Sequence, residues 1–207
     1  MTDGGSLPIY FSNTVKLLKE KNLIEKTITI GHAFGGDLEC INIYTGLIAA
    51  AKILEGDITI ITMGPGIVGT GTKYGFSGIE QGQIIDAVNT LGGNPIVVPR
   101  ISFKDSRDRH RGLSHHTLTI LSEIAKTSGN IIIPLIAEHK LDVINEQIHN
   151  LGIHNKHSIF YEDGKDINKA MNYFNLNIKT MGRGYEDDKE FFLTLGAVSR
   201  YVKRMLK

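Results

Sequence analysis

Short runs of β-branched and apolar residues alternate along the chain with stretches of helical periodicity, and few architectures accept that order. Residues 27–30, 58–63, 95–99, 130–136 and 157–161 read as strands, with 177–181 as a sixth. Between them run helical stripes: Leu38, Ile41, Leu47, Ile48 and Ile53; then Ile79, Ile84, Ile85 and Val88; then Leu118, Leu121 and Ile124; then Leu141, Ile144 and Ile148. A last helix carries Phe191, Phe192, Leu195, Val198 and Tyr201, and an early one is expected with Ser6 as N-cap and Pro8 in its first turn. Strand–helix alternation requires right-handed crossovers and a mostly parallel sheet between helical layers. The expected fold is a single α/β domain over residues 1–207, a three-layer α/β/α sandwich with a Rossmann-like, doubly wound sheet.

Ligands of such sheets bind beyond the carboxyl ends of the strands. Every unusual loop of this chain is placed there: His32 to Asp37, Gly64 to Gly78, Arg100 to His116, and the turn at Arg183. Most of the 23 glycines follow predicted strands, where backbone amides face a ligand. The opening Asp3-Gly4-Gly5 resembles a strand-to-helix turn whose strand is missing, which suggests a lost N-terminal segment.

Composition excludes several classes. A net charge of +1 without long like-charge runs gives no basis for general nucleic-acid binding. The one cysteine, Cys40, allows neither a disulfide framework nor a cysteine-based zinc site. No apolar run reaches membrane-spanning length and no signal peptide opens the chain, so a soluble, cytoplasmic protein without a membrane partner is expected. The glycine- and alanine-rich helix surface leaves room for a homodimer.

The densest chemistry lies between Arg100 and Thr117, which hold four arginines, two aspartates and three histidines beside an apolar run. Charges next to a core strand are paired or used. Arg107, Arg109 and Arg111 alternate and share one side of an extended loop, and guanidinium forks suit phosphate or carboxylate oxygens. Pairing with Asp105 and Asp108 is the structural alternative, and the two readings are compatible. His115 and His116 open a helix; as neighbours they do not share a helix face, so one faces the site as general acid or base while the other caps or packs. Asp105, Asp108 and His32 complete the candidate proton-handling set, and Ser114 and Arg183 join the anion ligands. Gly64, Gly66, Gly69, Thr70, Gly71 and Thr72 form a loop after a strand and before a helix, able to turn amides and hydroxyls toward an anion. That loop is neither a Walker loop nor a dinucleotide fingerprint, and its alternative role is close strand–helix packing. Asp37, Glu39 and His110 supply oxygen and nitrogen donors suited to a divalent metal such as Mn, Mg or Zn, though in no recognised spacing. No nucleophile elbow occurs. Cys40 reads as a buried helix residue, and the histidines at 139, 149, 154 and 157 as surface or core filler.

Four motifs carry a resemblance: Met1-Thr2-Asp3-Gly4-Gly5-Ser6-Leu7-Pro8, Gly31-His32-Ala33-Phe34-Gly35-Gly36-Asp37-Leu38-Glu39, Met63-Gly64-Pro65-Gly66-Ile67-Val68-Gly69-Thr70-Gly71-Thr72 and Arg109-His110-Arg111-Gly112-Leu113-Ser114-His115-His116-Thr117. In this order they resemble an uncharacterised bacterial family known only as a domain of unknown function. The resemblance covers nearly the whole chain and implies a shared site, but no reaction. Members carry a further segment before the Met-Thr-Asp-Gly motif, so it also implies that this chain is their C-terminal, larger part. From the residues, the expected function is a small-molecule enzyme acting on a phosphorylated or nucleotide-like substrate by hydrolysis or transfer, with metal assistance open. A non-catalytic anion- or nucleotide-binding regulatory domain is the alternative.

Overall fold

The strongest strand sequence is also the best buried. Ile131, Ile132 and Ile133 are fully buried in a central strand, as expected for a parallel strand covered on both faces. A computed structural model describes residues 2–3, 6–64 and 66–206 of the chain. They fall into two compact units, Met1–Gly93 and Asn94–Lys207. The architecture is mixed α/β with parallel strand pairing, in sheets of two or three strands.

In the second unit β5 (Ile96–Val97), β8 (Asn130–Pro134) and β9 (Ser158–Glu162) form a parallel sheet with β8 central, Ile131 lying opposite both Val97 and Ile159. Burying the three β8 isoleucines contributes roughly 1.5–3 kcal/mol each, enough to make this strand the anchor of the unit. Helix α7 (Lys189–Met205) packs on β8, and Ile132, Ala197 and Tyr201 form a core flanked by Ile96, Phe160 and Val198. Two glycines allow the close approach. A Cβ on Gly164 would stand 1.9 Å from the Leu193 carbonyl oxygen, and one on Gly196 would stand 2.1 Å from the carbonyl oxygen of Gly164. Helices α4 (His115–Thr119), α5 (Glu138–Asn150) and α6 (Asp166–Tyr173) complete the unit, α4 continuing as a π-turn over Ile120–Ile124. His157 is the one later histidine built into the core: its Nδ1 accepts the Gly129 N–H at 3.0 Å and its Nε2 donates to the Leu121 carbonyl at 2.9 Å.

In the first unit β1 (Thr2–Asp3) pairs with β4 (Met63–Gly64), and β2 (Ile28–Ile30) pairs in parallel with β3 (Leu38–Cys40). Only seven residues join β2 to β3, where a parallel crossover ordinarily takes a dozen or more. Asp37 makes the short connection hold. Its carboxylate accepts the Thr27 N–H at 2.7 Å, the Thr27 hydroxyl at 2.6 Å and Lys19 Nζ at 2.7 Å. Gly36 has no room for a side chain, since a Cβ would lie 2.9 Å from the Thr29 nitrogen. Helices α1 (Asn13–Glu20), α2 (Ile43–Ile48) and α3 (Glu80–Thr90) belong to this unit.

Several expectations are corrected. Ser6 has φ +52°, left-handed backbone that an N-cap does not adopt, and Ser12 caps α1 instead by accepting from the Val15 N–H. Leu38 lies in β3 rather than a helix; α2 starts at a capping box of Asn42 and Thr45. Of residues 58–63 only Met63 pairs as strand, and Ile60 is 82% exposed. The strand expected at 95–99 shrinks to Ile96–Val97, because the flanking prolines lack an N–H. Residues 177–181 keep only a bridge between Thr180 and Arg183. The Gly4-Gly5 turn lies outside the described residues. Among the described residues, no helix is long and apolar enough to cross a membrane.

Candidate functional site

An antiparallel pair absent from the sequence reading fixes the charged loop. Strand β6 (Ile101–Ser102) pairs with β7 (Gly112–Leu113), closing residues 103–111 into a loop with anchored ends. Ile101 and Leu113 are fully buried, so the ladder is tied to the core. A residue from α5 locks the exit: Gln147 Oε1 accepts the Leu113 N–H and Gln147 Nε2 donates to the Arg111 carbonyl, both at 2.9 Å. Gly112 between them has φ +73°, and a Cβ there would meet Gln147 Oε1 at 2.5 Å.

Within the loop the carboxylates organise the guanidiniums. Asp105 has a side chain only 3% exposed and receives Arg107 three times, from its backbone N–H at 3.1 Å and from Nε and Nη2 at 2.9 Å each. Arg100 Nη2 stands 3.7 Å away and Arg183 Nη2 3.9 Å away. Asp188, fully buried, accepts the Ser102 hydroxyl at 2.9 Å on both oxygens and Arg183 Nε at 3.0 Å. Arg100 also reaches Thr180 Oγ1 at 3.4 Å and lies over the Phe191 ring. Three guanidiniums thus surround two carboxylates, and the buried Nη2 of Arg183 makes no hydrogen bond. Arg109, Arg111 and Asp108 are exposed at the loop surface.

Three histidines sit together beyond this network. The rings of His115 and His116 are 4.0 Å apart, and His110 meets them at 4.7 and 5.7 Å. His115 and His116 therefore share contact despite being neighbours, because they occupy the first turn of α4 and His110 packs against both. His110 is buried, and its Nδ1 lies 2.9 Å from Ser114 Oγ. Ser114 consequently serves the histidine and does not cap α4. Burial first, then the Arg107 charge, pushes His110 down to about 4; burial and the neighbouring histidines do the same to His116, also to about 4. Burial and Arg109 lower His115, whose buried Nδ1 makes no hydrogen bond.

These shifts set an acid limit on stability. Both groups titrate lower in the folded chain than the 6.5 of free histidine, so the unfolded chain binds more protons between those values. Their stabilising contribution is complete above pH 6.5 and is lost as pH falls toward 4, at up to about 1.4 kcal/mol per pH unit for each. Urea unfolding at intermediate pH values should show this slope, and His110→Gln with His116→Gln should flatten it. An unchanged slope in the double variant would remove these histidines from the account.

Other candidates have different tasks. Hydrogen bonds from Arg107 hold Asp105 far below the ordinary carboxylate range, so at neutral pH it orients guanidiniums rather than handling a proton. Arg107 is correspondingly committed to Asp105. Hydrogen bonds from Lys19 and Thr27 lower Asp37 likewise, and Glu39 accepts the Gly35 N–H at 2.7 Å. His32 is exposed in the first unit. Of the expected metal set, Asp37 and Glu39 belong to the first unit and His110 to the second; among the described residues no group of three or more His, Cys, Asp or Glu side chains is placed to hold a metal ion. The Gly64–Thr72 loop folds back on itself. Thr70 N–H donates to the Gly75 carbonyl at 2.7 Å, the Thr70 and Thr72 hydroxyls are 3.0 Å apart, and Gly69 bridges to Phe76.

Of the four loops expected at one edge, the Arg183 turn meets the Arg100–His116 loop through Asp105. The His32–Asp37 and Gly64–Gly78 loops belong to the first unit. Sequence reasoning missed Asp188 and Gln147 as members of the site, and gave Arg100 and Ser102, inside the charged stretch, no ligand or catalytic role. Asp188 carried a signal, an acid three residues before a strong helical stripe, but that pattern also fits a solvated helix start. Gln147 carried none.

No curated protein and no solved structure matches the chain. The family profile described as "Protein of unknown function (DUF3866)" matches residues 1–199, and that match does not bear out the expected C-terminal portion of a larger member. With nearly the whole sequence covered, the chain belongs to this family of unknown function.

Proposed function

We propose that the Arg100–His116 loop and the Arg183 turn hold the anionic group of a small phosphorylated or nucleotide-like substrate, and that a histidine of the 110–115–116 cluster moves a proton in its hydrolysis or transfer. One observation carries the reading: three mutually touching histidines, each lowered in pKa, stand beside guanidiniums that outnumber their carboxylates. A neutral imidazole can accept a proton, and a guanidinium with a buried Nη2 that makes no hydrogen bond, as in Arg183, favours an incoming anion. Within the proposal Arg109, Arg111 and Arg183 contact the anion, Asp105 and Asp188 hold the guanidiniums in place, and His115 is the proton carrier. The parallel β5–β8–β9 sheet supports the wound, three-layer arrangement expected for such enzymes.

Histidine NMR with added inorganic phosphate is the test. Phosphate should raise the titration midpoints of the cluster, because an anion offsets the arginine charge. Arg109→Ala should weaken phosphate binding about ten- to a hundredfold, the range of one charge-assisted hydrogen bond, without altering the fold. Phosphate binding with no turnover of any phosphate ester would favour the regulatory alternative. Histidine signals indifferent to phosphate would reject the site.

A further inference from the structure

The second unit holds a cavity that the anion site does not use. It measures about 410 Å³ and lies between α6 and the turn leading into α7. Four asparagines line it, Asn168, Asn172, Asn175 and Asn177, with Met171 and Tyr185. Asn175 has φ +51° at the end of α6, and a left-handed helix end explains an asparagine there without a ligand. Asn168 and Asn172 are one helical turn apart and so present their carboxamides to the same side.

A carboxamide both donates and accepts through a planar group and carries no charge. Several around one cavity suit a neutral partner with alternating donors and acceptors on a planar edge. Tyr185 and Met171 add an aromatic face and a polarisable sulfur, which suit a flat ring. Tyr185 is held against Phe192, with ring centroids 6.0 Å apart. The two acids at the rim are already engaged: Glu186 pairs with Lys189 at 2.8 Å, and Asp187 accepts the Gly184 N–H at 2.9 Å. The volume falls within the usual range for small-ligand pockets.

We infer that this cavity binds a neutral nucleoside moiety, the base against Tyr185 and Met171 with its edge read by Asn168 and Asn172. One turn links cavity and anion site. Thr180 and Arg183 reach the arginine network, while Gly184, Tyr185 and the rim acids wall the cavity. A ligand spanning the turn is a nucleotide, its base in the cavity and its phosphate toward Arg183. In joining the two parts, the inference rests on the function proposed above.

Calorimetric titration of the full chain with adenosine, ribose and inorganic phosphate separates the two ideas. Adenosine should bind while ribose alone should not, and Asn172→Leu should weaken adenosine about three- to tenfold, the loss of one neutral hydrogen bond. The same variant should leave phosphate affinity unchanged, and circular dichroism should show it folded, since Asn172 is exposed. Tyr185→Leu should weaken adenosine as well. Adenosine that fails to bind, that binds no better than ribose, or that is indifferent to both variants overturns the nucleoside assignment while phosphate binding upholds the anion site. Adenosine binding without a phosphate response leaves the cavity assigned and rejects the anion site.

Discussion

Gly196→Ala is expected to destabilise the protein by about 3 kcal/mol, even though alanine is the better helix former. Intrinsic propensity favours alanine by about 1 kcal/mol at a helix interior. Against that stands a methyl group placed 2.1 Å from the Gly164 carbonyl oxygen and 2.9 Å from the Gly164 Cα, both backbone atoms that cannot rotate aside. Overpacking a fixed contact costs about 1–3 kcal/mol and more where nothing yields, so the clash outweighs the propensity gain. Gly164→Ala, which meets the Leu193 carbonyl oxygen at 1.9 Å, should cost as much. Gly66 has open space around it and serves as the control; alanine there should be near neutral. Urea midpoints decide the matter, and a Gly196→Ala midpoint equal to or above the parent's would mean that α7 does not approach the Gly164 turn this closely.

Asp188→Ala should be comparably damaging, by about 3 kcal/mol, for an electrostatic reason. The carboxylate is fully buried and satisfies Ser102 Oγ and Arg183 Nε together. Removing one partner of a buried pair strands the other, at about 3–5 kcal/mol; Arg183 is about a quarter exposed, so water recovers part of its loss. Asp188→Asn separates the contributions, because a carboxamide oxygen still accepts from Ser102 but offers Arg183 no charge. Its stability should fall between those of the parent and Asp188→Ala. Equal stability of all three by urea unfolding would show that the network carries no net stabilisation.

Local physics decided what could be read in advance. The buried isoleucines of β8 and the long stripe of α7 announce their elements, because burial on both faces and a helical repeat leave marks in a single stretch of chain. The charged loop was legible for the same reason: arginines and histidines beside an apolar run are visible without a partner. Pairing across distance was not. Ile101 with Leu113 and Ser102 with Asp188 depend on where the chain returns, and a two-residue strand has too little alternation to signal itself. Competing local chemistry explains the misplaced elements. Asn42 and Thr45 start α2 later than the apolar stripe implies, and Thr27 draws Asp37 out of any helix. The Thr70 hydroxyl, placed in an anion cradle by composition, points at its own loop's Gly75 carbonyl.

The seven-residue link between β2 and β3 also bears on the order of folding. Parallel pairs are ordinarily late, since the chain must first close a long crossover. Here the partners are near neighbours in sequence, and a loop of about ten residues closes in roughly 10–100 ns, ahead of hairpins and of general collapse. With the Asp37 carboxylate able to seize Thr27 within that same short segment, the β2–β3 pair becomes a local contact available at the outset, on which the rest of the first unit can condense.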